Sequence, residues 1–179
     1  VALKHAILVS LAEKTASGYD LARRFDRSLG FFWQASHQQI YRVLADLEAS
    51  GDIQASSAAG AGRRERRTYR LTESGRAALH QWSTEPTPLE QSRSEFAVKV
   101  RGMQHGSPEA VLTDIRRQLA AHQERLSYFE AEAARNYPEP AALTPDQLPL
   151  YLVLRGGIRS EESYIGWCQE MLQLLEERS

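Results

Sequence analysis

Gln38, Gln39, Tyr41 and Arg42 place two amides, a phenol and a guanidinium within five consecutive residues. At 100° per residue, Gln38, Tyr41, Arg42 and Ala45 share one stripe of a helix, while Ile40, Val43, Leu44 and Leu47 fall at i, i+3, i+4 and i+7 on an apolar face. A Gln amide matches the donor–acceptor edge of adenine, a guanidinium matches guanine or phosphate, and a phenol reaches phosphate or a thymine methyl group. Small Ala45 leaves room between turns, so the stripe has the chemistry to enter a DNA major groove. The same stripe also describes an ordinary solvated helix face, so the flanking sequence has to decide between them.

That helix has a defined start and stop. Ser36-His37-Gln38-Gln39 is a capping box, in which the Ser36 hydroxyl takes an orphan backbone N–H and the Gln39 side chain reaches back. Gly51 supplies a residue able to turn left-handed and end the helix. Upstream, residues 2–14 carry Leu3, Ala6, Ile7, Val9 and Leu11, which predicts a mostly buried first helix. Ser17-Gly18-Tyr19 reads as a turn into a second helix, where Tyr19, Leu21, Ala22, Phe25 and Leu29 include an apolar face and Arg23, Arg24 and Arg27 lie outside. Gly30 closes it. The aromatic run Phe31-Phe32-Trp33 then either plugs the core beneath the third helix or meets the second half of the chain.

Downstream, residues 53–57 read as a strand and 67–71 as its antiparallel partner, with Tyr69 and Leu71 on one face. The connection begins with small residues and ends in Arg63, Arg64, Arg66 and Arg67 around Glu65. Arginines at a hairpin tip reach phosphates or a minor groove without moving the core. Alternatively, they guard an edge hairpin against pairing with another chain. Thr72 caps a further helix to about Thr84, with Ala78, Leu79 and Trp82 inward. Helix, helix, recognition helix and two-stranded wing together make a winged helix–turn–helix. The expected fold is mainly α, with that domain over residues 1–85 and a helical, coiled-coil-like dimerisation domain over 86–179.

Pro86 and Pro88 make a short, stiff connection. A helix from Leu89 to Met103 would align Leu89, Phe96, Val100 and Met103, and His105-Gly106 breaks it. Ser107-Pro108-Glu109 then supplies an N-cap, an N1 proline and a first-turn acid. In the next helix Leu112, Ile115, Leu119, His122, Leu126, Phe129 and Ala133 alternate spacings of three and four residues. After a proline-rich connection, Pro149 reads as N1 of the last helix, where Tyr151, Leu154, Ile158, Glu161, Ile165, Cys168, Leu172 and Leu175 repeat the pattern. Such seams need partners. Leu152, Tyr164, Trp167 and Leu174 lie off the seam, and this apolar surplus argues for association with a second chain. Leu119, Leu126, Phe129, Leu154, Ile158, Ile165, Cys168 and Leu172 are the dimerisation candidates.

Several segments together resemble the PadR family of transcriptional regulators: SGYDLARRF, GFFW, SHQQIYRVLADLEASGDI, the arginine-rich wing and RRTYRLTESG. The resemblance continues through SEFAVKVRGM and LRGGIRSEESYIGWCQEMLQLLE, as in the larger subgroup with a long C-terminal region. It implies a homodimeric repressor that binds double-stranded DNA at an inverted repeat and is released by a small, often aromatic, effector. On this reading Tyr19, Ser36, Gln38, Gln39, Tyr41, Arg42, Arg63, Arg64, Arg66 and Arg67 meet DNA. Family members often carry Pro beside the start of the recognition helix, where this chain has Ser36-His37. Tyr128, Tyr151, Tyr164 and Trp167 are candidates to line an effector pocket, although aromatics at helical spacing also serve as core. His122 and Glu161 either set helix register or touch a ligand. Gly156-Gly157 inside a helix points to close approach of another helix, a ligand or a kink.

Charge and composition narrow the function further. The net charge of −1 divides into +3 over residues 1–85 and −4 over 86–179, so the first half is the nucleic-acid candidate. No apolar run approaches the ~20 residues of a membrane span, and the cytoplasm is the expected compartment. Cys168 is the only cysteine, which leaves no internal disulfide and favours a buried apolar role. The five histidines are scattered, HExxH and GxSxG are absent, and GAGRRE lacks the lysine and hydroxyl of a phosphate-binding loop. Neither catalysis nor a metal or cofactor is expected. The rival reading is a winged helix used as a protein-docking module, which calls for an apolar recognition face.

Overall fold

The computed structural model describes residues 2–25, 35–58, 66–89 and 94–177. The chain divides into two compact units, Val1–Leu89 and Glu90–Ser179. Gly30, the Phe31-Phe32-Trp33 run, Arg63 and Arg64 lie outside the described residues.

In the first unit, α1 (Ala2–Glu13), α2 (Gly18–Arg24), α3 (His37–Ala49) and α4 (Glu73–Thr84) surround a small antiparallel sheet. Its strands are β1 (Ala16–Ser17), β2 (Ile53–Ala58) and β3 (Arg66–Leu71), in the order β1-β3-β2. Ile53 pairs with Leu71 and Ala55 with Tyr69 across the wing hairpin, while Ala16 pairs with Tyr69 on the other edge of β3. The sheet therefore has three strands, where the sequence led us to expect two and a turn at Ser17. A two-residue strand is too short to show an alternating pattern, and β3, far along the chain, defines it. Ser17 is also the N-cap of α2, in a capping box with Asp20.

The core joins every layer: Ile7, Leu8 and Leu11 of α1, Leu21 and Ala22 of α2, Ile40, Leu44 and Leu47 of α3, and Ile53, Tyr69 and Leu71 of the sheet. Val43, expected on the apolar face of α3, is half-buried against it. Arg24, expected outside, turns back instead. Its Nη1 donates to the Ser10 and Lys14 carbonyls at 2.9 and 3.1 Å, in the last turn of α1 and just past its end.

A second polar knot closes the end of α3. Gly51 adopts φ +78°, and buried Asp52 accepts hydrogen bonds from Lys4 Nζ, Ser50 Oγ and Ser74 Oγ. Thr72 caps α4 and donates its hydroxyl to the Asp52 carbonyl at 2.9 Å. One carboxylate thus ties α1, the α3 terminus and α4 together.

The second unit holds α5 (Glu95–Arg101), a 3-10 turn at Met103–His105, α6 (Pro108–Asn136), a 3-10 turn at Pro140–Ala142 and α7 (Gln147–Glu176). Two expected boundaries move. Leu89 is 96% exposed and lies outside α5, which Ser94 caps five residues later. Pro149 is the third residue of α7 rather than the first; its missing N–H is still one of the orphans of a first turn. Ser107, Pro108 and Glu109 start α6 as expected.

Helices α6 and α7 run antiparallel, since His122 meets Glu161, Arg116 reaches Glu176 and Tyr137 meets Tyr151. Their seams face each other. Ile115, Cys168 and Met171 form a core on which Phe96 and Val100 of α5 pack, and burial raises the Cys168 thiol pKa above its ordinary value. Phe129, Ile158 and Cys168 are buried within the single chain, whereas Leu119, Leu126, Leu154, Ile165 and Leu172 are half-buried. Leu148, Leu150, Leu152, Val153 and Leu174 remain exposed.

The Lys4 hydrogen bond, followed by those from Ser50 and Ser74, outweighs desolvation and holds the Asp52 carboxyl below its ordinary value of 3.8. A lowered folded pKa adds stability that is complete above the unfolded value and is lost as pH falls through the folded one. Asp52→Asn should therefore cost about 1.5–3 kcal/mol at pH 7 and show a smaller further loss below about pH 4 than the parent, read from urea melts over a pH series.

Candidate nucleic-acid interface

The apolar face of α3 determines what its other face presents. With Ile40, Leu44 and Leu47 fully buried, Gln38, Tyr41, Arg42 and Ala45 face solvent together. The start of the stripe is fixed by the capping box: Ser36 Oγ accepts from the Gln39 N–H at 3.2 Å, and Gln39 Oε1 accepts from the Ser36 N–H at 2.9 Å. Gln39 thus commits its oxygen to the cap, unlike Gln38, and a bidentate amide contact to adenine is not open to it while the cap holds.

Helix α2 adds to the same surface. Tyr41, 48% exposed, lays its ring over Gly18 at the start of α2, where a Cβ would fall 2.4 Å from Tyr41 Cε1. Tyr19, 56% exposed rather than part of the apolar face of α2, has the Arg23 guanidinium 5.9 Å from its ring centroid. Sequence reasoning assigned Arg23 no role. Its position one turn after Tyr19 on an exposed face was the available signal.

Arg66 opens β3, and Arg67 after it donates through Nη2 to both Glu48 oxygens of α3, at 2.6 and 2.7 Å. Arg70, at the wing base, donates to Gln54 Oε1 across the hairpin at 2.6 Å.

The four candidate effector aromatics fall into separate groups. Tyr164 stacks on His122 at 4.6 Å and meets Trp167 edge-on; Trp167 meets Phe96. Tyr151 tilts on Tyr137, and Tyr128 meets Phe129 edge-on. A cleft of about 490 Å³ lined by Lys99, Ser107, Val111, Asp114 and Arg117 includes none of the four. Among the described residues, no group of three or more His, Cys, Asp or Glu side chains is placed to hold a metal, and no helix is long and apolar enough to cross a membrane.

Residues 7–81 match the transcriptional regulator PadR-like family, and residues 92–176 match the virulence activator alpha C-terminal family. The probable transcriptional regulator Rv1176c of Mycobacterium tuberculosis is 42% identical over 99% of this chain and the whole of that one. The chain belongs to the PadR-like family of transcriptional regulators. The negative transcriptional regulator PadR of Bacillus subtilis is 30% identical over 97% of each chain. Its crystal structure in complex with operator DNA superposes with a TM-score of 0.85 over 97% of this chain and 99% of that one, and its complex with p-coumaric acid with 0.80 over 98% and 99%. The Vibrio cholerae virulence activator AphA, 29% identical, gives 0.82 over 99% of both chains. The PadR-like fold is thus a winged helix–turn–helix followed by a helical unit.

Two glycines differ in what a methyl group would meet. At Gly18 the obstacle is the free end of the Tyr41 ring; at Gly75 it is the Asp52 carbonyl, 2.1 Å away. Gly18→Ala should cost less than about 1 kcal/mol and rotate the Tyr41 ring outward, seen as shifted Tyr41 ring resonances, whereas Gly75→Ala should cost about 2 kcal/mol or more in the same denaturant melts.

Proposed function

We propose that this protein is a homodimeric repressor that reads an inverted-repeat operator in double-stranded DNA through α3 and the wing, and is released by a small phenolic effector. The observation that carries the reading is the stripe Gln38, Tyr41 and Arg42, turned outward by a fully buried opposite face, in a chain aligned end to end with a PadR solved on operator DNA. Gln38, Tyr41 and Arg42 make groove contacts. Tyr19, Ser36 and Gln39 at the helix starts, and Arg63, Arg64 and Arg66 of the wing, serve the backbone. Residues 1–85 carry DNA binding and 86–179 pairing and effector response. The protein acts by binding, without catalysis, in the cytoplasm where its operator lies.

Pairing draws on the half-buried seam residues Leu119, Leu126, Leu154, Ile165 and Leu172 and on exposed Leu148, Leu150, Leu152, Val153 and Leu174. Phe129, Ile158 and Cys168 support it from inside the chain. The p-coumaric acid complex of the Bacillus relative supports a phenolic acid as the effector class. Of the four aromatic candidates, Tyr164 and Trp167 adjoin each other, and Tyr128 and Tyr151 stand apart from them in the contacts they make. In the mechanism, DNA binding requires two recognition helices about 34 Å apart, or a multiple, and the effector-bound form holds them at another spacing.

The docking-module reading needs an apolar outer face on α3, which Gln38, Tyr41 and Arg42 do not supply. An activating role is a second reading, supported by the likeness to the virulence activator AphA over 99% of both chains. A promoter fusion carrying the upstream DNA separates the two by the sign of its response.

Fluorescence anisotropy on DNA from upstream of the protein's own gene, against a scrambled duplex over a salt series, should show binding at least ~1000-fold tighter to the upstream DNA. Gln38→Ala should mainly narrow that ratio, whereas replacing Arg63, Arg64 and Arg66 together should weaken both duplexes and flatten the salt dependence. Equal, weak binding to both duplexes would count against the regulator reading, and unchanged binding by the arginine variant against the wing.

A further inference from the structure

The stripe on α3 ends in a negative charge. Glu48 follows Tyr41 by seven residues on the same side of the helix, about 10 Å of rise. With Tyr41 in the groove, the phosphates along its edge fall within reach of Glu48 on the scale of the Debye length, ~8 Å at physiological salt, and an uncompensated carboxylate there opposes binding. The wing strand supplies the compensation. Arg67, Tyr69 and Leu71 occupy alternate positions of β3; the latter two are buried, so Arg67 continues the row that faces the helices and meets both Glu48 oxygens. Its guanidinium also lies 5.7 Å from the Tyr69 ring centroid. The Tyr69 phenol, raised above its ordinary value by burial first, feels Arg67, Glu48 and Tyr41 together, so the four side chains form one cluster.

We propose that Arg67 is the fixed counter-ion of Glu48, a positioning residue that neutralises the far end of the reading stripe and ties the wing base to α3, rather than one of the phosphate ligands of the wing. This rests on the DNA-binding function proposed above. It removes Arg67 from the phosphate contacts expected from the sequence and leaves that work to Arg63, Arg64 and Arg66. The pair is partly exposed, 56% for Arg67 and 31% for Glu48, so the core does not depend on it.

The test compares the parent, R67Q and the double variant E48Q/R67Q on the upstream and scrambled duplexes over a salt series. R67Q exposes the carboxylate and should weaken both duplexes on the order of 10-fold. E48Q/R67Q removes both charges and should return to within about 3-fold of the parent, with an unchanged slope of log affinity against log salt. A double variant that stays as weak as R67Q, with a slope shallower by about 0.9, would make Arg67 a phosphate ligand and overturn the proposal while leaving the DNA-binding function intact. A parent that binds neither duplex would overturn that function, and the role of the pair with it.

Discussion

Burial of one face of α3 is the constraint on which the rest depends. Ile40, Leu44 and Leu47 are removed from water against α1, α2 and the sheet, which at about 1.5–3 kcal/mol for each large side chain leaves the helix no freedom to roll. Its ends are held as firmly. The Ser36–Gln39 box satisfies the first orphan N–H groups, and Gly51 and Asp52 close the last turn on Lys4 and Ser74. A helix fixed in roll and at both ends presents its polar stripe in one orientation, as a surface that reads a rigid duplex must.

The second unit follows the same logic at larger scale. Two helices of 29 and 30 residues pair through facing seams, and a polar interruption sits within that seam. Glu161 meets His122 and accepts from Arg125 Nη1 at 3.2 Å, while the His122 ring stacks on Tyr164. An apolar seam tolerates slips by a heptad; a buried carboxylate with two specific partners does not, because a slip would strand its charge. Apolar side chains left outside the pairing, Leu148 to Val153 above all, give the unit a surface on which association can build.

Much of this was legible in the sequence because local chemistry decided it. The Ser36 capping box, the Ser107-Pro108-Glu109 helix start and the left-handed Gly51 each depend on a few adjacent residues. The apolar period of α3 and the two heptad seams span enough turns to stand out. What escaped the sequence was set by distant partners. Strand β1 exists because β3 arrives beside Ala16, Arg24 turns inward because the end of α1 offers carbonyls, and Arg67 meets Glu48 because strand alternation puts it in the row of Tyr69 and Leu71. Leu89 misled for a different reason. A helical period carried back from Phe96 to Leu89 met an apolar residue by coincidence, while the cap at Ser94 marked the true start.

Entry of α3 into the major groove of a two-fold site would leave a distinctive footprint. Guanine methylation and hydroxyl-radical protection would be mapped for the full chain on DNA from upstream of its own gene. Two stretches of guanine N7, which lies in the major groove, should be shielded, with centres about 10 base pairs or a multiple apart. Backbone protection with guanine N7 fully reactive throughout would contradict it.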